Sequence, residues 1–333
     1  MKHQFANQPS LEISCVIPTY NEEGNIGNLI QQLAQKIQEL NRSFEIIMVD
    51  DGSSDQSVNE AKAYLQSYPI RIIQLSRNFG KEDAMMAGMK TSRGQAVIII
   101  DADMQEPVST IERFLEHWDA GYEMVYAVRT HREDESKIKE LGSNFFYWFL
   151  NRMTKQAIPA HARDFRLMDR KVVDAICDLP ERNRFMKGLF SWVGFKTKEV
   201  KVVINHRQEG ISKFNIKQLI GLAITAITSF SDLPLRIWAG IGACISVGSI
   251  LYAFWIMGKT LIMGISTPGW ATLTVAIFFL GGIQILSIGI LGEYLARIFA
   301  EVKARPGFII SKEWSYLGNE IHNEKDEASL THI

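Results

Sequence analysis

Two long uncharged runs near the carboxyl end constrain this chain more than any other feature. Trp238–Met257 and Thr272–Leu291 each hold 20 residues without a charged side chain. At about 1.5 Å per residue, a helix of this length crosses the roughly 30 Å hydrocarbon core of a bilayer. Two buried helices of a soluble core are the alternative, but such helices rarely lack a polar face. The runs therefore predict two transmembrane helices, at about 235–258 and 271–295.

The charges around these runs predict how the helices are oriented. Arg236 precedes the first run, and Arg297, Lys303 and Arg305 follow the second. The connecting loop carries only Lys259, so the positive-inside rule places both outer flanks in the cytoplasm. The large part of the chain before the hairpin is then cytosolic, as are both termini.

Upstream of the hairpin, strand and helix patterns alternate. Apolar runs rich in β-branched residues cover 13–18, 45–50, 70–75, 96–101 and 123–129. Between them, apolar residues recur at helical spacing over 22–40, 55–65, 81–89 and 108–119. This order predicts an α/β fold, Rossmann-like, with a mostly parallel sheet and helices on both faces. The near-continuous apolar strands are typical of a sheet buried on both sides.

A polar cluster follows each predicted strand at its carboxyl end. The clusters are Thr19-Tyr20-Asn21-Glu22, Asp50-Asp51-Gly52-Ser53, Ser76-Arg77-Asn78, Asp101-Ala102-Asp103 and Arg129. Turn formation would explain any one of them. Open α/β sheets bind their ligands at this edge, so five clusters together favour a binding site.

Asp101 and Asp103 stand directly after a run of three isoleucines, 98–100. Side chains two apart in extended chain point the same way, so two like charges are held close together. That arrangement costs free energy unless a cation neutralises it. Mg²⁺ or Mn²⁺ would suit oxygen ligands and commonly bridges to substrate phosphates. The alternative, a turn before a helix starting at Pro107, explains the proline but not the two acids.

Several classes of protein are disfavoured. The chain has neither GxGxxG after its first strand nor GxxxxGK[ST], which argues against a dinucleotide oxidoreductase and a P-loop NTPase. A net charge of −1 gives no reason to expect nucleic acid. Three scattered cysteines fit a reduced compartment, and the polar extension over 1–10 has no signal-peptide core.

Five segments carry a resemblance to membrane-associated family 2 glycosyltransferases, which have the GT-A fold. They are YNEEGNI, VDDGSSD, RNFGKE, DADMQEP and HRQEGISKF. The chain looks most like polyprenyl-phosphate glycosyltransferases, which include dolichyl-phosphate mannose synthases. Three later segments are most similar to bactoprenol glucosyltransferases of O-antigen modification: MKGLFSWVGF, SFSDLPLRIW and GGIQILSIGILGEYLARI. The resemblance spans about 11–312 and implies a cytosolic GT-A domain over 11–214 in a bacterial inner membrane protein.

The resemblance implies roles for matching positions. The nucleotide sugar would be held by Pro18, Tyr20, Glu22, Asp50, Asp51, Arg77, Lys81, Asp101, Arg207 and Lys213. The metal would meet Asp103 and Gln105, and the acceptor phosphate Arg129, Lys137 and Lys139. The predicted catalytic residues are Asp101, Asp103, Arg129 and Asp164. Asp164 matches an acid proposed as a catalytic base; a structural ion pair with Arg163 or Arg166 is the alternative.

The implied reaction is inverting transfer of glucose from UDP-glucose to undecaprenyl phosphate, for O-antigen or another cell-surface glycan. GDP-mannose, UDP-N-acetylglucosamine and a UDP-aminoarabinose derivative are alternative donors. A nucleotide-regulated transport subunit is disfavoured because the two spans are few and carry no charge. A processive polysaccharide synthase would carry a QxxRW motif, which is absent. The resemblance also implies a homo-oligomer, for which a tetramer is one arrangement. It implies two partners, a small flippase and a polytopic glycosyltransferase.

Three further segments are interpreted relative to the membrane. The aromatic stretch within 137–153 predicts an interfacial helix, with a buried core helix as the alternative. Residues 215–232 predict a juxtamembrane amphipathic helix. The cytosolic tail over 298–333 is polar and charged from Ser315 onward, and we expect disorder there.

Overall fold

The computed structural model describes residues 11–129, 162–182, 184–203, 233–263, 269–317 and 320–323. The chain divides into two compact units. One comprises 1–151, 156–215 and 306–333, and the other comprises 152–155 and 216–305. The polar extension over 1–10, the interfacial helix over 137–153 and the juxtamembrane helix over 215–232 fall outside the described residues.

The first unit is built on a nine-stranded sheet. Its strands are β1 (Ile13–Thr19), β2 (Phe44–Asp50), β3 (Ile70–Leu75), β4 (Ala96–Ile99), β5 (Met124–Arg129), β6 (Ala162–Asp169), β7 (Thr197–Val202), β8 (Ile310–Leu317) and β9 (Glu320–Asn323). They lie in the order β7-β5-β6-β4-β1-β2-β3-β8-β9. The central strands β4, β1, β2 and β3 are parallel, whereas β6 and β8 pair antiparallel on either side of them. The predicted α/β fold with a parallel sheet at its centre is confirmed.

Six helices accompany this sheet among the described residues. They are α1 (Ile26–Glu39), α2 (Ser57–Lys62), α3 (Lys81–Thr91), α4 (Thr110–Asp119), α5 (Arg170–Cys177) and α6 (Met186–Trp192). In α1 every apolar residue three or four positions apart, from Ile26 to Ile37, is fully buried. Such a stripe stabilises a helix through packing on the sheet. All seven residues of β1 and of β2 are buried, so the core lies on both faces of the central strands.

The chain after residue 309 returns to the sheet. β8 pairs antiparallel with β3, and β9 pairs with β8. Arg71 Nη2 lies 2.7 Å from Glu313 Oε1, and Lys62 Nζ lies 3.8 Å above the ring of Trp314, which is 9% exposed. The prediction of disorder from Ser315 onward was therefore wrong for 315–317 and 320–323. Pairing with a strand some 240 residues earlier orders this segment, and local composition does not reveal such a partner.

The second unit contains two long helices, α7 (Leu233–Met263) and α8 (Trp270–Lys303). Both start near the predicted positions and run further than 258 and 295. Among the described residues, Phe279–Lys303 is long and apolar enough to cross a membrane, with none of its most apolar window buried. Large exposed apolar side chains such as Ile285, 74% exposed, are typical of a surface that contacts lipid or protein. The transmembrane hairpin and its orientation stay predictions.

Candidate active site

The loops after β1 and β2 are bound to each other at the carboxyl edge of the sheet. The amide of Asn21 donates to Ser53 Oγ and the amide of Ser54 donates back to Asn21 Oδ1, both at 2.9 Å. The amide of Glu22 donates to Ser57 Oγ at 2.9 Å. These bonds join two of the predicted polar clusters into one surface. On it, Tyr20 is 42% exposed and accessible to a ligand.

Asp50 ends β2 and Asp51 follows it, and both are almost completely buried, at 0% and 3% exposure. The Asp50 carboxylate accepts from the Ser53 amide at 3.2 Å and from Gln74 Nε2 at 3.1 Å. The Asp51 carboxylate accepts from the amides of Phe79 and Gly80, at 2.7 and 2.9 Å. Burial raises the pKa of Asp51, although these amide bonds oppose the shift. Asp51 therefore binds the backbone of the loop after β3, which carries Arg77 and leads to Lys81 at the start of α3.

Lys81 joins two acids from different parts of the sheet. Its Nζ lies 2.7 Å from Asp101 Oδ1 and 2.6 Å from Asp164 Oδ2. Burial lowers the pKa of Lys81, but both carboxylates outweigh it and the pKa rises well above its usual range. Burial likewise raises the pKa of Asp164, but Lys81, Lys187 and Arg166 outweigh it and hold that pKa far below its usual range. Asp164 is therefore ionised, and its partner is Lys81 rather than the side chain of Arg163.

Arg163 binds the loop that follows Asp103. Its Nε donates to Glu106 Oε1 at 2.9 Å, and its Nη2 donates to Gln105 Oε1 at 3.0 Å. Asp103 Oδ1 accepts from the amide of Gln105 at 3.2 Å. Burial, with the nearby charge of Asp101, raises the pKa of Glu106 to about 7. Arg163 on β6 thus holds the side chains of Gln105 and Glu106 in the loop that follows Asp103.

Two charged residues of this site, Glu82 and Lys187, were not predicted from the sequence, and Arg166 was predicted only as an alternative ion-pair partner of Asp164. Glu82 Oε2 accepts from the amide of Met186 at 3.0 Å, and burial together with Asp164 raises the pKa of Glu82 to about 7. Arg166 is 3% exposed and stacks 3.6 Å from the ring centroid of Phe190. The motifs RNFGKE and RDFRLMDR contain Glu82 and Arg166, but their burial depends on long-range packing.

The remaining predicted residues divide into those the structure describes and those it does not. Pro18 is buried within β1, and Arg129 ends β5. Because Val128 pairs with Ala162 on β6, Arg129 and Asp164 lie toward the same edge of the sheet. Arg77 is exposed and packs 4.0 Å from the ring centroid of Phe79. Four predicted basic residues lie outside the described ranges: Lys137, Lys139, Arg207 and Lys213.

Nothing in the described part of the chain groups three or more His, Cys, Asp or Glu side chains as a metal site. The oxygen atoms of Asp103 and Gln105 are nevertheless ligands of the kind that Mg²⁺ and Mn²⁺ take. These cations usually keep several waters and use one or two carboxylates with substrate phosphates. The donor set therefore fits a metal that is completed by its substrate.

Comparison with known proteins identifies the family to which this chain is similar. A family model described as glycosyl transferase family 2 matches residues 14–177. The bactoprenol glucosyl transferase of Shigella phage SfII is 43% identical over 311 residues, which cover 93% of this chain and 100% of that protein. An uncharacterized glycosyltransferase of Synechocystis is 46% identical over 306 residues, 92% of this chain and 96% of that protein. A crystal structure of mannosyl-3-phosphoglycerate synthase from Rubrobacter xylanophilus superposes with a TM-score of 0.47 at 16% identity, covering 78% of each chain.

The sheet and the acidic site at its carboxyl edge define an enzyme of the GT-A type. The chain belongs to glycosyl transferase family 2, as its relatives of more than 40% identity over almost its whole length establish. The predicted family and the predicted class of enzyme, a glycosyltransferase, are confirmed.

Proposed function

We propose that this enzyme transfers glucose from UDP-glucose to undecaprenyl phosphate and yields undecaprenyl-phosphate β-glucose. The observation that carries the proposal is the near full-length likeness to proteins named bactoprenol glucosyl transferase, at 41–43% identity. Because the likeness covers more than 90% of the chain, it extends beyond the catalytic domain to the long helices and favours the same class of lipid acceptor. Modification of O-antigen or another cell-surface glycan is the proposed destination of the sugar.

The proposed donor site is the surface formed by the loops after β1, β2 and β3. Tyr20 and Arg77 are its exposed members, and Asp50 and Asp51 order the loops from beneath. An exposed aromatic ring and a guanidinium suit a nucleotide base and its phosphates. Arg207 and Lys213 are proposed to close over the diphosphate.

A divalent cation, Mg²⁺ or Mn²⁺, is proposed to sit at Asp103 and Gln105. When bound, it would stabilise the negative charge that builds on the departing diphosphate. Arg163 already holds the Gln105 carboxamide from β6 and so restricts where that side chain can point. Asp103→Ala is expected to abolish metal-dependent turnover while the protein stays folded. Asp174→Ala, which removes a carboxylate 61% exposed on α5, is the control and should change nothing.

The proposed chemistry is a single displacement. An oxygen of the acceptor phosphate forms a bond to the anomeric carbon, the bond from that carbon to the diphosphate breaks, and UDP leaves with the electron pair. A phosphate monoester has a second pKa of about 6 and is mostly dianionic at neutral pH, so it has no proton to lose. Asp164 is ionised beside Lys81 and is a weak base. We propose that it holds the Lys81 ammonium near the acceptor phosphate and does not take a proton. Arg129, with Lys137 and Lys139, is proposed to meet the acceptor phosphate.

The proposed location is the bacterial inner membrane. Undecaprenyl phosphate stays in the bilayer, so an enzyme that uses it must reach the headgroup at the membrane surface. We propose that α7 and α8 both span the membrane, with the catalytic domain in the cytoplasm. A homo-oligomer is proposed, and the product would need a flippase and a second, polytopic glycosyltransferase on the other side.

Radiolabelled UDP-glucose, undecaprenyl phosphate and the purified full chain in lipid nanodiscs test the proposal. The expected result is label in the lipid extract that depends on Mg²⁺ or Mn²⁺ and carries a β linkage. GDP-mannose and UDP-N-acetylglucosamine, offered in parallel, should give less product. Release of UDP without a glycolipid, or an α linkage, would contradict the proposed reaction.

A further inference from the structure

One ammonium group connects three elements of the catalytic domain. Lys81 is the first residue of α3, Asp101 follows β4, and Asp164 lies on β6. The Lys81 Nζ lies 2.7 and 2.9 Å from the two oxygens of Asp101 and 2.6 Å from Asp164 Oδ2. Because the same nitrogen contacts an oxygen of each acid, these two oxygens lie less than two hydrogen-bond lengths apart.

Two carboxylates at this separation repel each other unless a cation lies between them. The side chains of Asp101 and Asp164 are only 19% and 17% exposed, so water screens their charges poorly. Without a cation between them, the two side chains would move apart. Lys81 is the cation within bonding distance of both.

The backbone around Lys81 is fixed on three sides. The Gly80 amide donates to Asp51, Glu82 accepts from the amide of Met186 at 3.0 Å, and Asp83 Oδ1 lies 3.0 Å from Arg184 Nη1. Gly80 has φ of 105°, a left-handed conformation that a residue with a Cβ rarely adopts. The residues on either side of Lys81 are thus attached to the loop after β2 and to the segment that leads into α6. The reach of the Lys81 side chain is set by the fold and not by a flexible loop.

Lys81 also remains open to a ligand. Its side chain is 43% exposed, whereas the two acids are mostly covered. An ammonium has three N–H donors, and the two carboxylates occupy two of them. The third can reach a phosphate oxygen. A compact ammonium, unlike the planar guanidinium of arginine, lets one atom contact two carboxylates and a third group.

We propose that Lys81 is a positioning residue for the transfer reaction, which fixes Asp101 on the donor side and Asp164 on the acceptor side at one separation. This inference rests on the proposed function, because it assumes that the donor sugar and the acceptor phosphate meet at these two acids. By placing one positive charge within bonding distance of both acids, Lys81 holds them together and lets two anionic substrates approach a site that already contains acids. Removing Lys81 should therefore slow the reaction of bound substrates more than it weakens binding of the donor.

A double-mutant cycle tests this role. Lys81→Met, Asp164→Asn and the double variant are compared with the wild type for kcat and for the KM of each substrate. We expect Lys81→Met to lower kcat about 100-fold, the size of effect seen when one electrostatic partner is removed from an active site. In the Asp164→Asn background the repulsion is already gone, so the same substitution should cost less than about 5-fold, because coupled residues are not additive.

Further variants separate a positioning role from general damage. Lys90→Met removes an exposed lysine at the other end of α3 and should leave kcat unchanged. Lys81→Arg restores a positive charge, so its kcat should be at least about tenfold higher than that of Lys81→Met. Thermal unfolding of each variant shows whether a loss reflects misfolding.

Two results would overturn the inference. The first is a double variant in which the kcat losses of Lys81→Met and Asp164→Asn simply multiply, because the two residues would then act independently. The second is a Lys81→Met variant whose only change is a higher KM for UDP-glucose. The wild-type product tests the proposed function separately. If the wild type uses another sugar or acceptor, kcat and KM of the four proteins in the cycle are measured on that reaction and still decide the role of Lys81.

Discussion

At the scale of single residues, the acids of this site differ in how firmly their charge is held. Asp164 faces Lys81, Lys187 and Arg166 and remains ionised. Glu82 is the residue after Lys81, and burial together with the charge of Asp164 raises its pKa to about 7. The site therefore holds an acid that keeps its charge, Asp164, and two whose raised pKa lets them lose it near neutral pH, Glu82 and Glu106.

Glu82 should make stability depend on pH in a defined direction. Its pKa is raised in the folded state from 4.5 to about 7, so its stabilising contribution is complete below pH 4.5 and is lost as pH rises through 7. In Glu82→Gln the bond from the Met186 amide can still form but no proton is exchanged. We measure the midpoint temperature of thermal unfolding for both proteins. As pH rises from 4.5 to 7, we expect the midpoint of the wild type to decrease relative to that of the variant. Glu39→Gln, at a carboxylate 68% exposed, is the control; a wild-type advantage that grew with pH would contradict the assignment.

Arg129 should act on the acceptor and not on the donor. It ends β5, beside the start of β6 that carries Asp164. Loss of one hydrogen bond to a charged group costs about 1.5–3 kcal/mol, so Arg129→Ala should raise the KM for undecaprenyl phosphate about tenfold or more. The KM for UDP-glucose should stay nearly constant. Arg113→Ala, on an exposed arginine of α4 that donates to the Lys201 carbonyl, is the matched control, and equal effects on both substrates would refute the acceptor role.

The sequence predicted which residues lie at the candidate site but not which side chains pair with each other there. The polar clusters were visible because each one interrupts an apolar run at the end of a parallel strand. The bond between Lys81 and Asp164 joins residues 83 positions apart, and no local pattern encodes it. The engagement of Asp51 with the Phe79 and Gly80 amides is hidden for the same reason.

At the scale of elements, the central strands could be predicted and the added ones could not. β1 to β5 are apolar runs bounded by turns, which is what a strand buried on both faces requires. β8 contains Lys312, Glu313 and Ser315, and its order comes from pairing with β3. β8 lies next to the outermost strand, and of its residues 310–315 only Trp314 is buried, so its composition resembles that of a disordered tail.

Trp314 should be the main anchor of β8. It pairs with Ile72, is 9% exposed and lies beneath the Lys62 ammonium. Truncation of a buried aromatic residue costs about 3 kcal/mol or more, so Trp314→Ala should lower the free energy of unfolding of the catalytic domain by about that amount. Lys312→Ala, at an exposed position two residues away, should have little effect. Equal midpoints for the two variants in chemical denaturation would show that β8 contributes little.

At the scale of the whole molecule, the catalytic domain is assembled from chain on both sides of the long helices. The strands before α7 form most of the sheet, and the strands after α8 complete its edge beyond β3. The segment that leads into β8 also binds the catalytic loops, because the Ser76 amide donates to the Ile309 carbonyl at 2.9 Å. A Cβ on Gly307 would lie 2.5 Å from Asp83 Oδ1 and 2.9 Å from Arg184 Nη1, so this segment packs tightly on the start of α3.

A protein that lacks residues 306–333 should therefore keep its long helices but lose stability in its catalytic domain. Removal of β8 exposes the hydrogen-bonding edge of β3 and leaves Arg71 without Glu313. We expect the unfolding midpoint of the catalytic domain to fall by about 10 °C or more, since each kcal/mol shifts a domain of this size by roughly 2–4 °C. Limited proteolysis should cut within the sheet, and the KM for UDP-glucose should rise because the loop after β3 loses its support. The control removes only residues 324–333, beyond β9, and should match the wild type; a 306–333 deletion with an unchanged midpoint would show that the domain is complete without its carboxyl-terminal strands.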